Sequence, residues 1–238
     1  MDLFDLDFGV IVACDVSTLD SFTTIVKETS SIEGIVGFKI GVTLALTYGL
    51  KRLTEAADKY GNLPVIYDHQ KAGTDIPQMG QKFSDVCSRG GIKGVILFPQ
   101  AGPKTEEAFI SAVIKNHMVP LVGGEMTHPG YLADEKGYIR NNAPTDMYTL
   151  AVKNHVKYFI VPGNKPQVLK KYQTIISGLD NSVRYCMPGI GRQGGDIASA
   201  FTALSGSSAY AIIGSSIYSQ SNIGKAAKRF CKEALKFQ

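Results

Sequence analysis

Tryptophan is absent, and cysteine and histidine number only four each. Cys14, Cys87, Cys186 and Cys231 form no close pair and sit in apolar or helical patterns, which argues against a disulfide framework and fits buried thiols in a reducing compartment. No His/Cys/carboxylate spacing suggests a zinc site, and a Ser-His-Asp triad could be drawn only by choosing freely among the serines. No apolar run approaches the ~20 residues of a membrane span. The start, Met1-Asp2-Leu3-Phe4-Asp5, is acidic and lacks the basic and apolar segments of a signal peptide. The expectation is a soluble, cytoplasmic protein.

Charge of one sign is also scarce. Lys and Arg total 25 against 21 Asp and Glu, a formal +4. The basic residues are dispersed except for Lys225, Lys228, Arg229, Lys232 and Lys236, whose helical spacing marks a solvated face. Nucleic acid and membrane are therefore not expected partners. A modest positive balance suits a small phosphorylated substrate. With 44% hydrophobic and 19% charged residues, a disordered, collagen-like or coiled-coil chain is excluded.

What is present is an alternation. Eight β-rich runs recur at Phe8–Cys14, Ile35–Ile40, Pro64–Tyr67, Gly94–Phe98, Val119–Gly123, Lys157–Val161, Arg184–Met187 and Ala209–Ile213. Most are continuously apolar, as in strands of a parallel sheet buried on both faces. Amphipathic stretches separate them, the second spanning Leu44–Tyr60 with Leu44, Leu46, Leu50, Leu53 and Ala57 at helical spacing. Eight strand-helix units without a linker, over 238 residues, predict a single-domain (β/α)8 TIM barrel. An open sheet would leave two edges and would more often carry a Gly-rich fingerprint after the first strand, where this chain has Cys14-Asp15-Val16-Ser17.

A barrel of this kind places its chemistry at the C-terminal ends of the strands. Those ends hold Asp15, Lys39, Asp68 with Lys71 and Asp75, Glu125-Met126-Thr127-His128, and Pro188 to Asp196. Lys39, Asp68, Lys71 and Asp75 are four charges expected at one mouth. Ammonium groups lower the pKa of neighbouring carboxylates and carboxylates raise that of lysines, so the set stays ionised although partly desolvated. A purely structural ion-pair network is the plain alternative. The Gly-rich stretch Gly189–Gly195 and Gly214-Ser215-Ser216 follow the seventh and eighth strands, where barrels commonly bind phosphate through backbone N–H groups.

Taken in order along nearly the whole chain, these segments resemble the orotidine 5′-phosphate decarboxylase family. The resemblance rests on Asp15, Phe38-Lys39-Ile40-Gly41, Asp68…Lys71…Asp75-Ile76-Pro77, Glu125 to Gly130, Pro188 to Asp196, and Ile213 to Tyr218. It implies cofactor-free, metal-free loss of CO2 from C6 of orotidine 5′-monophosphate, giving UMP in pyrimidine synthesis. It further implies that Lys71 protonates C6, that Asp68 sits against the departing carboxylate, and that Lys39 and Asp75 complete the array. Asp15 and Lys39 would bind ribose hydroxyls, Thr127 would read the pyrimidine, and Gln193 would bridge base and phosphate. Gly214 and Ser215 would meet the phosphate, with Ile76 and Pro188 among the substrate contacts. The family is a homodimer in which the second aspartate, here Asp75, reaches the neighbouring site.

Two departures matter. The common family spacing is Asp-x-Lys-x-x-Asp, whereas this chain has Asp68-x-x-Lys71-x-x-x-Asp75. Because one residue flips a strand's facing, a bulge or turn after Asp68 is expected to return Lys71 to the site. The family also usually has Arg where this chain has Ser215, and Arg192 in the Gly-rich loop is the candidate replacement. Two other readings compete. One is a Mg²⁺-dependent sugar-phosphate aldolase or decarboxylase of the sister barrels, which typically carry glutamate at the position of Lys39. The other is a non-catalytic nucleotide-phosphate binder.

Overall fold

The computed structural model describes residues 2–70, 74–204 and 206–238. Its eight strands are β1 (Phe8–Cys14), β2 (Ile35–Gly41), β3 (Val65–Asp68), β4 (Gly94–Leu97), β5 (Val119–Gly123), β6 (Tyr158–Ile160), β7 (Arg184–Met187) and β8 (Ser208–Ile213). All neighbours pair in parallel, and β8 returns to β1, so the sheet closes into a (β/α)8 barrel. The strand runs expected from the sequence match these bounds to within a residue.

Helices α1 (Leu19–Thr29), α2 (Val42–Tyr48), α3 (Leu50–Asp58), α4 (Met79–Arg89), α5 (Pro103–Lys115), α6 (Ala143–Lys153), α7 (Pro166–Leu179), α8 (Ile197–Ala203), α9 (Ser215–Tyr218) and α10 (Ile223–Ala234) surround it. Two differences from the expected pattern have local causes. The second amphipathic stretch is two helices, because Gly49 adopts φ 75°, ψ 148°, outside the helical region. The turn after β8 forms α9, too short to show a helical period. His117 and His155 terminate α5 and α6 at φ 58° and 63°, which is a helix-ending role.

Alternation along each strand sorts side chains into two layers. Val10, Val12, Phe38, Ile40, Val95, Leu97 and Phe159 face the helices. Ile11, Ala13, Val36, Ile66, Ile96, Leu121, Tyr158, Ile160, Tyr210 and Ile212 fill the barrel interior. At the N-terminal end Phe4 plugs the barrel against Tyr210 and Tyr158, with ring centroids 4.5 and 5.6 Å away. Phe4 thus closes the barrel interior below, and the interior opens at the C-terminal mouth.

One irregularity decides what the mouth contains. Val10 pairs with Ile35 but Ile11 pairs with Gly37, so Val36 is an extra residue in β2. Val36 points inward, and strict alternation from it would turn Lys39 out toward the helices. The bulge resets the phase, so that Phe38 and Ile40 face outward and Lys39 faces the interior. The other strands need no such device: Ile11 and Ala13 lead to Asp15, Ile66 leads to Asp68, and Leu121 leads through Gly123 to Glu125.

Candidate active site

These inward positions meet in a cavity of about 240 Å³ at the C-terminal mouth. Its lining includes Asp15, Lys39, Asp68, Gln70, Glu125, Thr127, Pro188, Arg192, Gln193, Gly214 and Ser215. The apolar floor is Ala13, Ile96, Phe98, Ile160 and Ile212.

Lys39 is the centre of charge. It is 7% exposed, and its Nζ donates to Asp15 Oδ1 and to Asp68 Oδ2 at 2.9 Å each. Burial by itself would lower the pKa of the ammonium, but the attraction of Asp68 and Asp15 and their hydrogen bonds outweigh it, so the net direction is upward. The two carboxylates are not equivalent. The Asp15 side chain is 52% exposed, whereas that of Asp68 is 10% exposed. Asp68 Oδ1 is buried and has no hydrogen-bond partner among the described residues. A buried carboxylate oxygen without a donor is costly.

The wall across the cavity is a second charged group. Glu125 is 4% exposed, accepts from Lys165 Nζ at 2.9 Å through Oε1, and from Tyr172 Oη at 2.5 Å through Oε2. Lys165 also reaches Glu135, at 3.3 Å, in the long loop after β5. The Gly-rich loop folds back on itself, with Gly191 N–H donating to Gly195 C=O at 2.8 Å. Its Arg192 N–H donates to Ser216 Oγ at 3.0 Å, which ties this loop to the turn after β8. Gly191 has φ 86°, and a Cβ there would stand 2.5 Å from Ser216 Oγ, so only glycine allows this approach.

Of the residues expected from the sequence, Asp15, Lys39, Asp68, Thr127, Pro188, Arg192, Gln193, Gly214 and Ser215 line the one cavity. Asp75 and Ile76 do not. The Asp75 carboxylate accepts from the Ile76 N–H at 2.7 Å, its carbonyl accepts from Thr105 Oγ1 at 2.9 Å, and Ile76 is 60% exposed on the outer surface. Within one chain Asp75 therefore does not join Lys39 and Asp68. Lys71, and with it the expected bulge after Asp68, lies outside the described residues. His69 lines the adjoining cavity that shares Asp15, Lys39 and Asp68, with Nδ1 2.6 Å from Tyr67 Oη and its ring beside Phe83. His128 makes an edge contact with Tyr131.

Sequence reading missed Gln70, Phe98 and Tyr218 in the lining, and Asn164 and Lys165 behind it. Alternation from Ile66 through Asp68 could have found Gln70. No signal in the sequence marks Asn164 and Lys165, because their contacts are made to another loop.

Among the described residues, no group of three or more His, Cys, Asp or Glu side chains is arranged to hold a metal ion. No described helix is long and apolar enough to cross a membrane. The four cysteines are free and buried, and burial raises the Cys14 and Cys186 thiols far above their usual range.

A closed parallel barrel with charged strand ends gathered in one mouth defines an enzyme of the (β/α)8 class. The chain belongs to the orotidine 5′-phosphate decarboxylase / HUMPS family, whose profile matches residues 9–230. It is 30% identical over 221 residues to an orotidine 5′-phosphate decarboxylase of Methanococcus maripaludis, covering 93% of this chain and 94% of that one. It is 29% identical over 228 residues to the enzyme of that name from Thermococcus kodakarensis, covering 95% and 96%. Among solved structures it resembles the orotidine 5′-monophosphate decarboxylase of Methanocaldococcus jannaschii complexed with the inhibitor BMP. That match has a TM-score of 0.80 and 24% identity, over 95% of this chain and 98% of that one, and it bears on the fold.

The asymmetry around Lys39 makes a stability prediction. Replacing Lys39 with Met leaves Asp68 buried without its cation and is expected to cost about 3–5 kcal/mol. Asp15→Asn, at a half-exposed position, is expected to cost under about 1 kcal/mol. A lysine whose folded pKa is raised contributes fully below its unfolded value, near ~10.4, and loses that contribution only as pH climbs through the raised value. The gap between wild type and Lys39→Met in urea unfolding should therefore stay level from about pH 6 to about pH 9. Equal costs for the two variants, or a gap that closes below pH 9, would show that Lys39 is not the buried hub.

Proposed function

We propose that this protein is an orotidine 5′-phosphate decarboxylase, converting orotidine 5′-monophosphate to UMP and CO2 without metal or cofactor. The observation that carries the reading is the Lys39 ammonium held between Asp15 and Asp68 in the mouth, with one Asp68 oxygen unpaired among the described residues. The relatives named above support the substrate.

In this reading the Asp68 carboxylate lies against the C6 carboxylate of the substrate, and their repulsion is relieved when CO2 leaves. The C6–carboxyl bond breaks, its electron pair stays on C6, and the Lys71 ammonium supplies the proton that forms the C6–H bond. Lysine then regains a proton from solvent, so the balance is substrate plus one proton to UMP plus CO2. Lys39 holds Asp68 in place throughout, and fixed charges of this kind need no reorganisation as the reaction proceeds. Asp15 and Lys39 receive the ribose hydroxyls. Thr127 reads the pyrimidine, with Pro188 beside it. Gln193, Gly214, Ser215 and Arg192 receive the phosphate, which lies far from C6, so its binding energy serves to organise the charged end.

The Mg²⁺-dependent sister reading is disfavoured by the same triad. Lys39 Nζ stands 2.9 Å from both carboxylates. It fills the place where a divalent cation would bind them, and its charge repels one.

We further propose a homodimer. Val42, Leu46 and Ile76 are large apolar side chains exposed on this chain, at 44%, 81% and 60%. Their burial against a second copy would carry Asp75 and Ile76 to the neighbouring mouth, as the family resemblance implies. Sedimentation is expected to give twice the 25.7 kDa chain mass. A monomer at working concentration would contradict the dimer and the role of Asp75 with it.

Turnover separates the readings. Decarboxylation of orotidine monophosphate should survive EDTA. Arg192→Ala should raise KM for the nucleotide about 10–100-fold, the loss of a hydrogen bond to a charged group. Metal-dependent sugar-phosphate turnover would favour the sister reading, and tight UMP binding without turnover a non-catalytic binder. An unchanged KM would place the phosphate away from Arg192.

A further inference from the structure

The β6–α7 turn contributes nothing to the cavity lining through Asn164 or Lys165, yet these two adjacent residues hold the opposite wall from behind. Asn164 Nδ2 donates to the Thr127 carbonyl at 3.3 Å. Lys165 Nζ donates to the buried Glu125 at 2.9 Å and to Glu135 at 3.3 Å. Thr127 is therefore fixed on two sides: at its own main chain, and two residues earlier at Glu125. Tyr172 Oη supplies the second hold on Glu125, and Glu135 in turn accepts from the Tyr131 N–H at 3.2 Å, so the loop beyond Thr127 is tied to the same lysine.

The chemistry of these contacts is stronger than wall-building requires. A carboxylate with 4% exposure is costly unless it is paired and hydrogen-bonded, and it receives a cation and a hydroxyl from α7 and the turn before it. Charge-assisted bonds of this kind fix direction as well as distance. The Asn164 carbonyl oxygen is buried without a partner among the described residues, and a Cβ built on Gly189 would stand 2.9 Å from it. Asn164 thus touches the base-facing segment on one side and the start of the Gly-rich loop on the other.

We infer that Asn164 and Lys165 form a positioning bracket that sets where Thr127 stands, and that this bracket determines how well the protein distinguishes a pyrimidine nucleotide from the bare sugar phosphate. Neither residue touches the ligand. Both act through Thr127, and the inference rests on the reading of Thr127 as the group that meets the base.

A comparison of two ligands isolates that effect. UMP presents base and phosphate, whereas ribose 5-phosphate lacks the base that Thr127 meets, so a loss transmitted through the Gly-rich loop weakens both ligands and one transmitted through Thr127 weakens UMP alone. Calorimetric titration of wild type, Asn164→Ala, Lys165→Met and Lys165→Arg with each ligand gives the preference for UMP as a ratio of affinities. In Asn164→Ala and Lys165→Met the ratio is expected to fall roughly tenfold, the weight of one positioned hydrogen bond, while ribose 5-phosphate affinity holds within about twofold. Lys165→Arg, which keeps the cation, should recover most of the ratio. If both ligands weaken together, the two residues merely support the scaffold and the inference fails. It fails also if the ratio is unchanged. A wild type that neither decarboxylates orotidine monophosphate nor prefers UMP removes the functional reading beneath it, and is distinguishable by that control alone.

Discussion

The Lys39 ion pair is the constraint on which the rest of the mouth depends. A barrel interior is packed and of low polarity, and a lone ammonium or carboxylate there would neutralise instead of staying charged. Two carboxylates on flanking strands, Asp15 from β1 and Asp68 from β3, keep Lys39 ionised, and Lys39 keeps them in place. Its main value is that it fixes charges before any substrate arrives, since a buried pair of this kind adds little net stability. The extra residue at Val36 belongs to the same device, because it alone turns the lysine inward.

Around that centre the cavity divides by chemistry. Charge from β1, β2 and β3 gathers on one side. Backbone N–H groups and exposed polar side chains from the loops after β7 and β8 lie on another, pinned to each other through Ser216. The wall from β5, with Glu125 and Thr127, completes the ring and is itself held by the turn after β6. Each part is short in sequence and reaches the others only because the barrel closes, so one cavity is faced by three separate groups: the charge array, the Glu125–Thr127 wall and the Gly-rich loop.

Much of this was legible before any coordinates. The eight strands were visible because buried parallel strands read as apolar runs, and a barrel assigns chemistry to their C-terminal ends without further information. Asp15, Lys39, Asp68 and Thr127 were reachable in that way. The inward facing of Lys39 was not, because a bulge leaves no mark in a run such as Ile35-Val36-Gly37-Phe38. The break at Gly49 was missed because an amphipathic period continues across it. Asn164 and Lys165 were invisible for a third reason: their partners lie about 30–40 residues away, and no local pattern reports a long-range hydrogen bond. Asp75 and Ile76 stand on the outer surface of the chain; the charge pattern alone put Asp75 at the same mouth, whereas the family resemblance assigned it to a neighbouring subunit's site.

The central claim is that a preset array of charges lets C6 lose CO2 and take a proton from lysine. Orotidine monophosphate turned over in D2O, with the UMP and CO2 formed followed by mass and NMR, tests it most directly, wild type against Lys71→Ala. The account predicts that wild type releases one CO2 per UMP and places a single deuterium at C6, and that Lys71→Ala does so at least about a thousandfold more slowly, the scale of a lost general acid. Undiminished turnover in Lys71→Ala, or UMP without deuterium at C6, would contradict it.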